Sequence, residues 1–227
     1  FVNDRWEFQD ANWFPDFPAS AKKLQWFYTK SRGRTVDGVI AVNASVLERL
    51  LKITGPVNTG EDDIIFHYDT ALEAIENEIG ANQGESAPKA VLSQLLTALF
   101  ERIRSLDKID LLRLLTETHA ALSEKEIQVA MNDHELDKVV REFGWSGGIV
   151  PAKPFQDYLF VVHSNIGGQK SDARVKQTIE YQAVVAADGS VTDTVIVRRE
   201  HSGRPDEAMY GAANISYLRV YVPEGAE

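Results

Sequence analysis

Val36-Asp37-Gly38-Val39-Ile40-Ala41-Val42-Asn43, followed at once by a helix-patterned run from Ser45 and stopped by Thr54-Gly55-Pro56, decides the fold class of this chain. The first run is short, apolar and rich in β-branched residues, which suits a strand. In the second, Val46, Leu47, Leu50 and Leu51 recur on one helical face. Pro56 has no N–H and a fixed φ, so the helix cannot continue through it. Strand, helix, glycine and proline in that order make an α/β unit.

Toward the N-terminus, Leu24, Phe27 and Tyr28 predict a further helix that Ser20 would cap and Gly33 would end. Ahead of it stands Asp10-Ala11-Asn12-Trp13-Phe14-Pro15-Asp16-Phe17-Pro18, which sets carboxylates, an amide and aromatics in a stretch too proline-rich for regular structure. Toward the C-terminus, a brief strand at Ile64 to Phe66, a helix from Thr70 to Ile79 and a polar loop at 81–87 precede a long helix marked by Val91, Leu95, Leu99 and Ile103. The next helix, near Ile109 to Leu122, carries Leu111, Leu112, Leu114 and Leu115. Leucines over so much of its girth predict a place between a sheet and another layer.

Ile127 to Met131 reads as a strand, and Asp133 caps a helix ending at Gly144. Tyr158 to His163 is a continuous apolar strand of the kind found in sheets covered on both faces. From Arg174 the pattern turns to period two: Thr178 to Val185, the turn Ala187-Asp188-Gly189-Ser190, then Val191 to Val197, a hairpin. Ile215 to Val222 supplies a last strand. No repeat or linker interrupts the chain, so the expected fold is a single α/β domain over 1–227, with a mixed sheet, helices on its faces and an antiparallel β-rich C-terminal part.

Composition removes several classes of function. With 227 residues and 44% hydrophobic content the chain can build a core. Its 24 basic and 34 acidic residues give a formal net charge of -10, which opposes a nucleic-acid backbone. The absence of cysteine excludes disulfides, thiolate nucleophiles and cysteine-bearing zinc sites. No apolar run reaches the roughly 18 to 20 residues of a membrane span, and Phe1-Val2-Asn3-Asp4 shows neither an initiator Met nor a signal-peptide pattern. The chain therefore reads as a piece of a longer protein.

Two segments carry the candidate chemistry. Asp10, Asn12 and Asp16 offer oxygens to a hard cation or a catalytic carboxylate, but Phe14 and Pro15 stand where a calcium loop needs a ligand and a glycine. The alternative is that these side chains hold the loop through backbone hydrogen bonds while Trp13, Phe14 and Phe17 fill the core. In Asn165-Ile166-Gly167-Gly168-Gln169-Lys170-Ser171-Asp172, the Gly167 and Gly168 amides beside Lys170 have the chemistry of an oxyanion cradle. The competing account is a strand-end corner in which the glycines permit positive φ, Asn165 caps the strand and Lys170 pairs with a neighbour such as Asp172. Arg34 is either a phosphate-neutralising cation or a solvated loop charge. The five histidines have no metal-ligand spacing, with His163 alone at a strand end near a candidate site. No nucleophile elbow, phosphate loop or dinucleotide fingerprint is present. Trp145-Ser146-Gly147-Gly148 reads as a turn anchored by a buried indole.

Taken in order, Asp10-Ala11-Asn12-Trp13, Pro15-Asp16-Phe17-Pro18, Ser20-Ala21, Val36 to Val42 and Thr54-Gly55-Pro56-Val57 resemble the bacterial family called domain of unknown function 4012. Gly144-Trp145-Ser146-Gly147, Asn165 to Asp172 and Arg219-Val220-Tyr221-Val222-Pro223 fit the same resemblance. It departs at Gln9, where the family ordinarily has an Arg. The resemblance implies an extracytoplasmic envelope domain held to the membrane only through an upstream anchor that this sequence lacks. Val36 to Val57 is more distantly similar to the LytR-CpsA-Psr phosphotransferases. Those enzymes move glycopolymers from polyprenyl pyrophosphate to the cell wall, using arginines, aspartates and Mg2+. That likeness implies a polyprenyl-phosphate-linked glycan or cell-wall polymer as partner, with Asp10 and Asp16 on a metal or a proton, and with Arg34, Lys170, Asn165 and the Gly167-Gly168 backbone around phosphate. A non-catalytic surface scaffold or binding domain is the alternative.

Overall fold

Asp16, rather than Ser20, starts the first helix. In the computed structural model, which describes residues 5–59, 64–82, 90–153 and 156–226, α1 spans Phe17–Arg32 with Asp16 as its N-cap. Pro18 lies in the first turn, where a missing N–H matters little because those groups have no helical acceptor. Gly33 ends the helix at φ 66, and its N–H reaches the Thr29 carbonyl.

β1 (Gly38–Val42) and β4 (Ile127–Met131) form an antiparallel ladder in which Gly38 faces Met131 and Val42 faces Ile127. Alternation then sorts the side chains. Val39 and Ala41 pack with Ala130 beneath Phe17 and Ala21 of α1, whereas Ile40 and Val42 point away and stay exposed. At Gly38 an added Cβ would lie 2.5 Å from the Ala130 carbonyl oxygen, so only glycine allows this close approach.

The main core joins five elements: α2 (Ser45–Thr54), β2 (Val57–Asn58), β3 (Ile65–Phe66), α3 (Ala71–Ala81) and α4 (Ala90–Arg104). Leu51, Val57, Phe66, Ile75, Leu95 and Leu99 are buried together there. α5 (Lys108–Ser123) follows, capped by Asp107 on the Asp110 N–H at 2.8 Å, and packs on α2 and β4. In α6 (His134–Glu142), the Asp133 cap accepts from the Leu136 N–H at 2.9 Å, and Gly144 turns the chain at φ 72. Residues 8–149 form one compact unit. The polar loop expected at 81–87 lies outside the described residues from 83 onward.

A second compact unit comprises 150–227 with 1–7. There β5 (Phe160–Asn165) pairs antiparallel with β8 (Ser216–Tyr221), and β6 (Val175–Val185) pairs with β7 (Val191–His201) around the expected turn, Gly189 at φ 86. Among the described residues of this unit only Gly168 and Ser171 are buried. β5, read as a strand covered on both faces, is half-buried along its whole length.

The chain thus has the expected α/β character with a β-rich C-terminal part. The mixed sheet is replaced, among the described residues, by four two-stranded antiparallel ladders. Each ladder joins strands that run in opposite directions, β1 and β4 across four intervening helices, so no parallel pair forms among the described residues.

One ionic cluster ties α2 to the end of α5. Arg49 donates from Nε to Glu126 at 2.6 Å, from Nη1 to Glu117 at 2.9 Å, and to Glu124. The hydrogen bond from Arg49 holds the Glu126 carboxyl below its ordinary range, against the opposing effect of burial. A carboxyl depressed in the folded state stabilises above its unfolded pKa, and that contribution is lost as pH falls through the folded value. Lowering pH from neutral through the usual glutamate range, ordinarily 4.5, and below should therefore reduce the urea midpoint of the parent protein more than that of Glu126→Gln. Parallel pH profiles would remove Glu126 from the account.

Candidate functional site

The Asp10 segment folds back on the turn that follows α6. Asp10 closes a 3-10 turn at Phe8–Asp10 and is half-buried, and Ala11 beyond it is fully buried. Asn12 is exposed on the next turn. Asp16 works on the backbone: Oδ2 accepts from the Ala19 N–H at 3.2 Å and Oδ1 from the Ile149 N–H at 2.9 Å. The Phe17 N–H reaches the Gly147 carbonyl at 3.1 Å, so cap and turn are stitched side by side. Ser20, inside the helix, is wholly buried; its hydroxyl donates to the Phe14 carbonyl at 2.9 Å and accepts from the Phe14 N–H at 3.0 Å.

The opposing turn is built for that contact. Gly147 has φ 59, and a Cβ there would lie 2.6 Å from the Gln128 side chain. The Trp145 carbonyl accepts from the Val129 N–H at 3.0 Å, fixing the turn to β4, while the half-buried indole stacks on Phe143 at 4.8 Å between centroids. Two stretches quoted above for one family resemblance, joined by a hydrogen bond between residues 133 positions apart, are thus neighbours within the 8–149 unit. Arg34 is exposed in the loop between α1 and β1.

Within the other unit, Asn165 organises its own loop. Its Oδ1 accepts from the Gly167 N–H at 3.2 Å and the Gly168 N–H at 2.7 Å, and its Nδ2 donates to the Gln169 carbonyl and to Asp172 Oδ2. The amides expected to face an oxyanion therefore serve an Asn-capped corner. The positive φ expected of the glycines falls on Gln169, at 49. Gly168 is required for close approach instead, since a Cβ would sit 2.6 Å from Ser171 Oγ and 2.9 Å from Asn214 Cα. Lys170 is exposed, and its own N–H is held by the Met209 carbonyl.

Behind the corner, Asn214 and Arg199, which carry no site motif in the sequence, join Ser171, Asp172 and His163. Asn214 Nδ2 donates to Ser171 Oγ and to Asp172 Oδ1, each at 2.9 Å, and Arg199 Nη2 lies 3.4 Å from the same Asp172 oxygen. His163 Nδ1 is 3.0 Å from Ser216 Oγ. Burial, then the positive Arg199, holds the His163 pKa below its usual range, with Asp172 and Gln177 opposing; the ring is neutral at neutral pH. Arg199 Nε and Asn214 Oδ1 are buried without a hydrogen-bond partner. Buried atoms of this kind are where a small polar molecule would complete the bonding. The alternation of β7 could have exposed Arg199, because it shares a strand face with Val195 and Val197 and a charge on an apolar face calls for a partner.

Among the described residues, no three His, Asp or Glu side chains gather closely enough to hold a metal ion, and no helix is long and apolar enough to cross a membrane. No curated protein and no solved structure matches the chain. Residues 3–79, which run from before the Asp10 segment to near the end of α3, match the model of a family described as protein of unknown function (DUF4012), and over that stretch this chain is similar to that family.

Proposed function

We propose that this chain is an extracytoplasmic domain of a bacterial cell-envelope protein that works by binding or scaffolding rather than by catalysis. One observation carries the choice: groups that a transfer reaction would need are engaged by the fold. Both Asp16 oxygens accept backbone N–H groups, and the Gly167 and Gly168 amides are closed by Asn165. The match over residues 3–79 supports the family part of this reading and names no activity.

A second reading, transfer of a glycopolymer from a lipid-linked phosphate in the LytR-CpsA-Psr manner, draws support from the 150–227 unit. There Arg199 and Asn214 offer a buried donor and an acceptor beside the neutral His163 and the exposed Lys170. Arg199 and Lys170 would neutralise phosphate. A metal ion such as Mg2+ would need ligands from Asp10, Asn12 and Asp16, of which Asp16 already supports the backbone.

Native mass spectrometry of the protein purified from its own membranes separates the two readings. The binding reading expects no retained polyprenyl phosphate and no release of polyprenyl phosphate from a lipid-linked glycan. A retained lipid phosphate whose occupancy falls in Lys170→Ala, together with release of polyprenyl phosphate from an added lipid-linked glycan, would overturn it in favour of transfer.

A further inference from the structure

α1 and the loop after it carry five cations, Lys22, Lys23, Lys30, Arg32 and Arg34, with no carboxylate from Phe17 through Val36. On a chain whose net charge is -10, that is a local excess of positive charge. Elsewhere cations find acids: Arg49 meets Glu126, Arg141 meets Asp137 and Arg198 meets Glu180. Lys22, Lys30, Arg32 and Arg34 form no ion pair among the described residues, and all four are exposed. The acids that bracket the stretch are Asp16, whose oxygens accept from the Ala19 and Ile149 N–H groups, and Asp37, at the entry to β1. On the flank of the helix Gln25 donates to Asn132 at 2.9 Å, an uncharged pair.

Trp26 stands in the middle of this charge. Lys22, Trp26 and Lys30 recur every four residues, so they share the side of α1 that faces away from the buried Phe17 and Ala21. The indole is 51% exposed. The Lys23 ammonium lies over it, 5.2 Å from the ring centroid, and the Phe27 ring packs nearly at right angles to it at 4.9 Å. Helix electrostatics account for Lys30 and Arg32, which sit in the last turn at the negative end of the dipole. They do not account for Lys22, Lys23 or an outward tryptophan.

A tryptophan among lysines on the open side of a helix matches a surface that lies in a bilayer interface, where the indole sits at headgroup depth and amines reach lipid phosphate. A soluble polyanion fits less well. A nucleic-acid strand calls for rings under successive bases and a sugar for an open ring face, whereas α1 exposes one indole with an ammonium over it. We propose that the outward face of α1 docks the 8–149 unit onto an anionic phospholipid bilayer, with Trp26 in the headgroup boundary and Lys22 and Lys30 on lipid phosphates. Arg32 and Arg34 add to the attraction. The opposite face of α1 is fixed on the β1–β4 ladder through Phe17, Ala21 and Ala130, so the helix presents these groups without refolding. The contact is separate from the Asp16 clasp and the Asn165 corner, and it holds whichever reading of those segments is right.

Cosedimentation of the whole chain with phosphatidylglycerol vesicles, against phosphatidylcholine vesicles, tests it. Binding to the anionic vesicles should exceed binding to the neutral ones by about tenfold or more and weaken as salt is raised. Lys22→Glu with Lys30→Glu should weaken it about thirtyfold, while the same double reversal on other helices, Lys108→Glu with Lys138→Glu, should change it by less than about threefold. Trp26→Gln should weaken it about fivefold and remove the blue shift of tryptophan emission that the vesicles induce. The urea midpoints of these variants should stay near that of the parent, because the side chains are exposed. Equal binding to both vesicles, no binding, equal losses from the two double reversals, or a blue shift that survives Trp26→Gln would overturn the proposal. So would binding of oligothymidylate or polygalacturonate by α1 while vesicles stay unbound; the stripe would then belong to a soluble polyanion.

Discussion

Phe66→Ala should lower the unfolding free energy by about 3 to 5 kcal/mol. Phe66 is 0% exposed and packs in one cluster with Leu51 of α2, Val57 of β2, Ile75 of α3 and Leu95 and Leu99 of α4. Removing the ring forfeits its transfer free energy and leaves a cavity that side chains from four other elements cannot all move to fill. Against a typical total of about 5 to 15 kcal/mol, that loss is severe. Three of the four tryptophans, Trp13, Trp26 and Trp145, lie in the 8–149 unit, so urea unfolding followed by tryptophan fluorescence reports on it directly. Phe100→Ala is the control: that ring, on the same α4, is 59% exposed, and its loss should cost within about 0.5 kcal/mol. Equal midpoints for the two variants would mean that the cluster around Phe66 is not the core.

The contrast between Phe66 and Phe100 also shows what the sequence could reveal. Local signals were readable. Gly33 and Gly144 end helices at positive φ, Asp133 caps α6, and Asp188-Gly189 turns the β6–β7 hairpin, because each depends on a few adjacent residues. Long-range choices were not. Nothing near Val39 indicates that its partner is Ala130, since the pairing is decided by side chains that meet only after folding.

Sites followed the same division. Asp16 was visible as a carboxylate in a proline-rich segment, but its role depends on the Ile149 N–H, which is 133 positions away. Asn165 as a strand-end cap was one of the two readings open at its loop, and the bonds to Gly167 and Gly168 match it because acceptor and donors are sequence neighbours. Asn214 and Arg199 converge on Asp172 from other parts of the chain and carried no local motif. For α5, the run Leu111, Leu112, Leu114 and Leu115 predicts cover on two faces, but Leu111, Leu112 and Leu115 are exposed; whether a layer covers them is not a property of the helix itself.

Asp16→Ala should destabilise the protein by about 2 to 4 kcal/mol, more than loss of a helix cap alone. Cap removal accounts for about 1 kcal/mol, here through the Ala19 N–H. The Ile149 N–H, half-buried and bonded to Asp16 Oδ1, loses its acceptor as well, which adds about 1 to 3 kcal/mol. Asp16→Asn tells structure from chemistry. Asparagine keeps one side-chain oxygen to serve one of the two N–H groups and remains a good N-cap, so it should recover roughly half of the loss. A residue needed as a catalytic base would not be rescued in that way, because the amide carries no negative charge to take up a proton. The measurement is the urea midpoint of parent, Asp16→Asn and Asp16→Ala, taken with hydrogen exchange at the Ile149 amide. Graded loss of both, in that order, is expected from a clasp between the start of α1 and the Gly147 turn. If Asp16→Ala instead leaves midpoint and exchange unchanged, the carboxylate is dispensable to the fold, and a role in binding or catalysis becomes the better account of it.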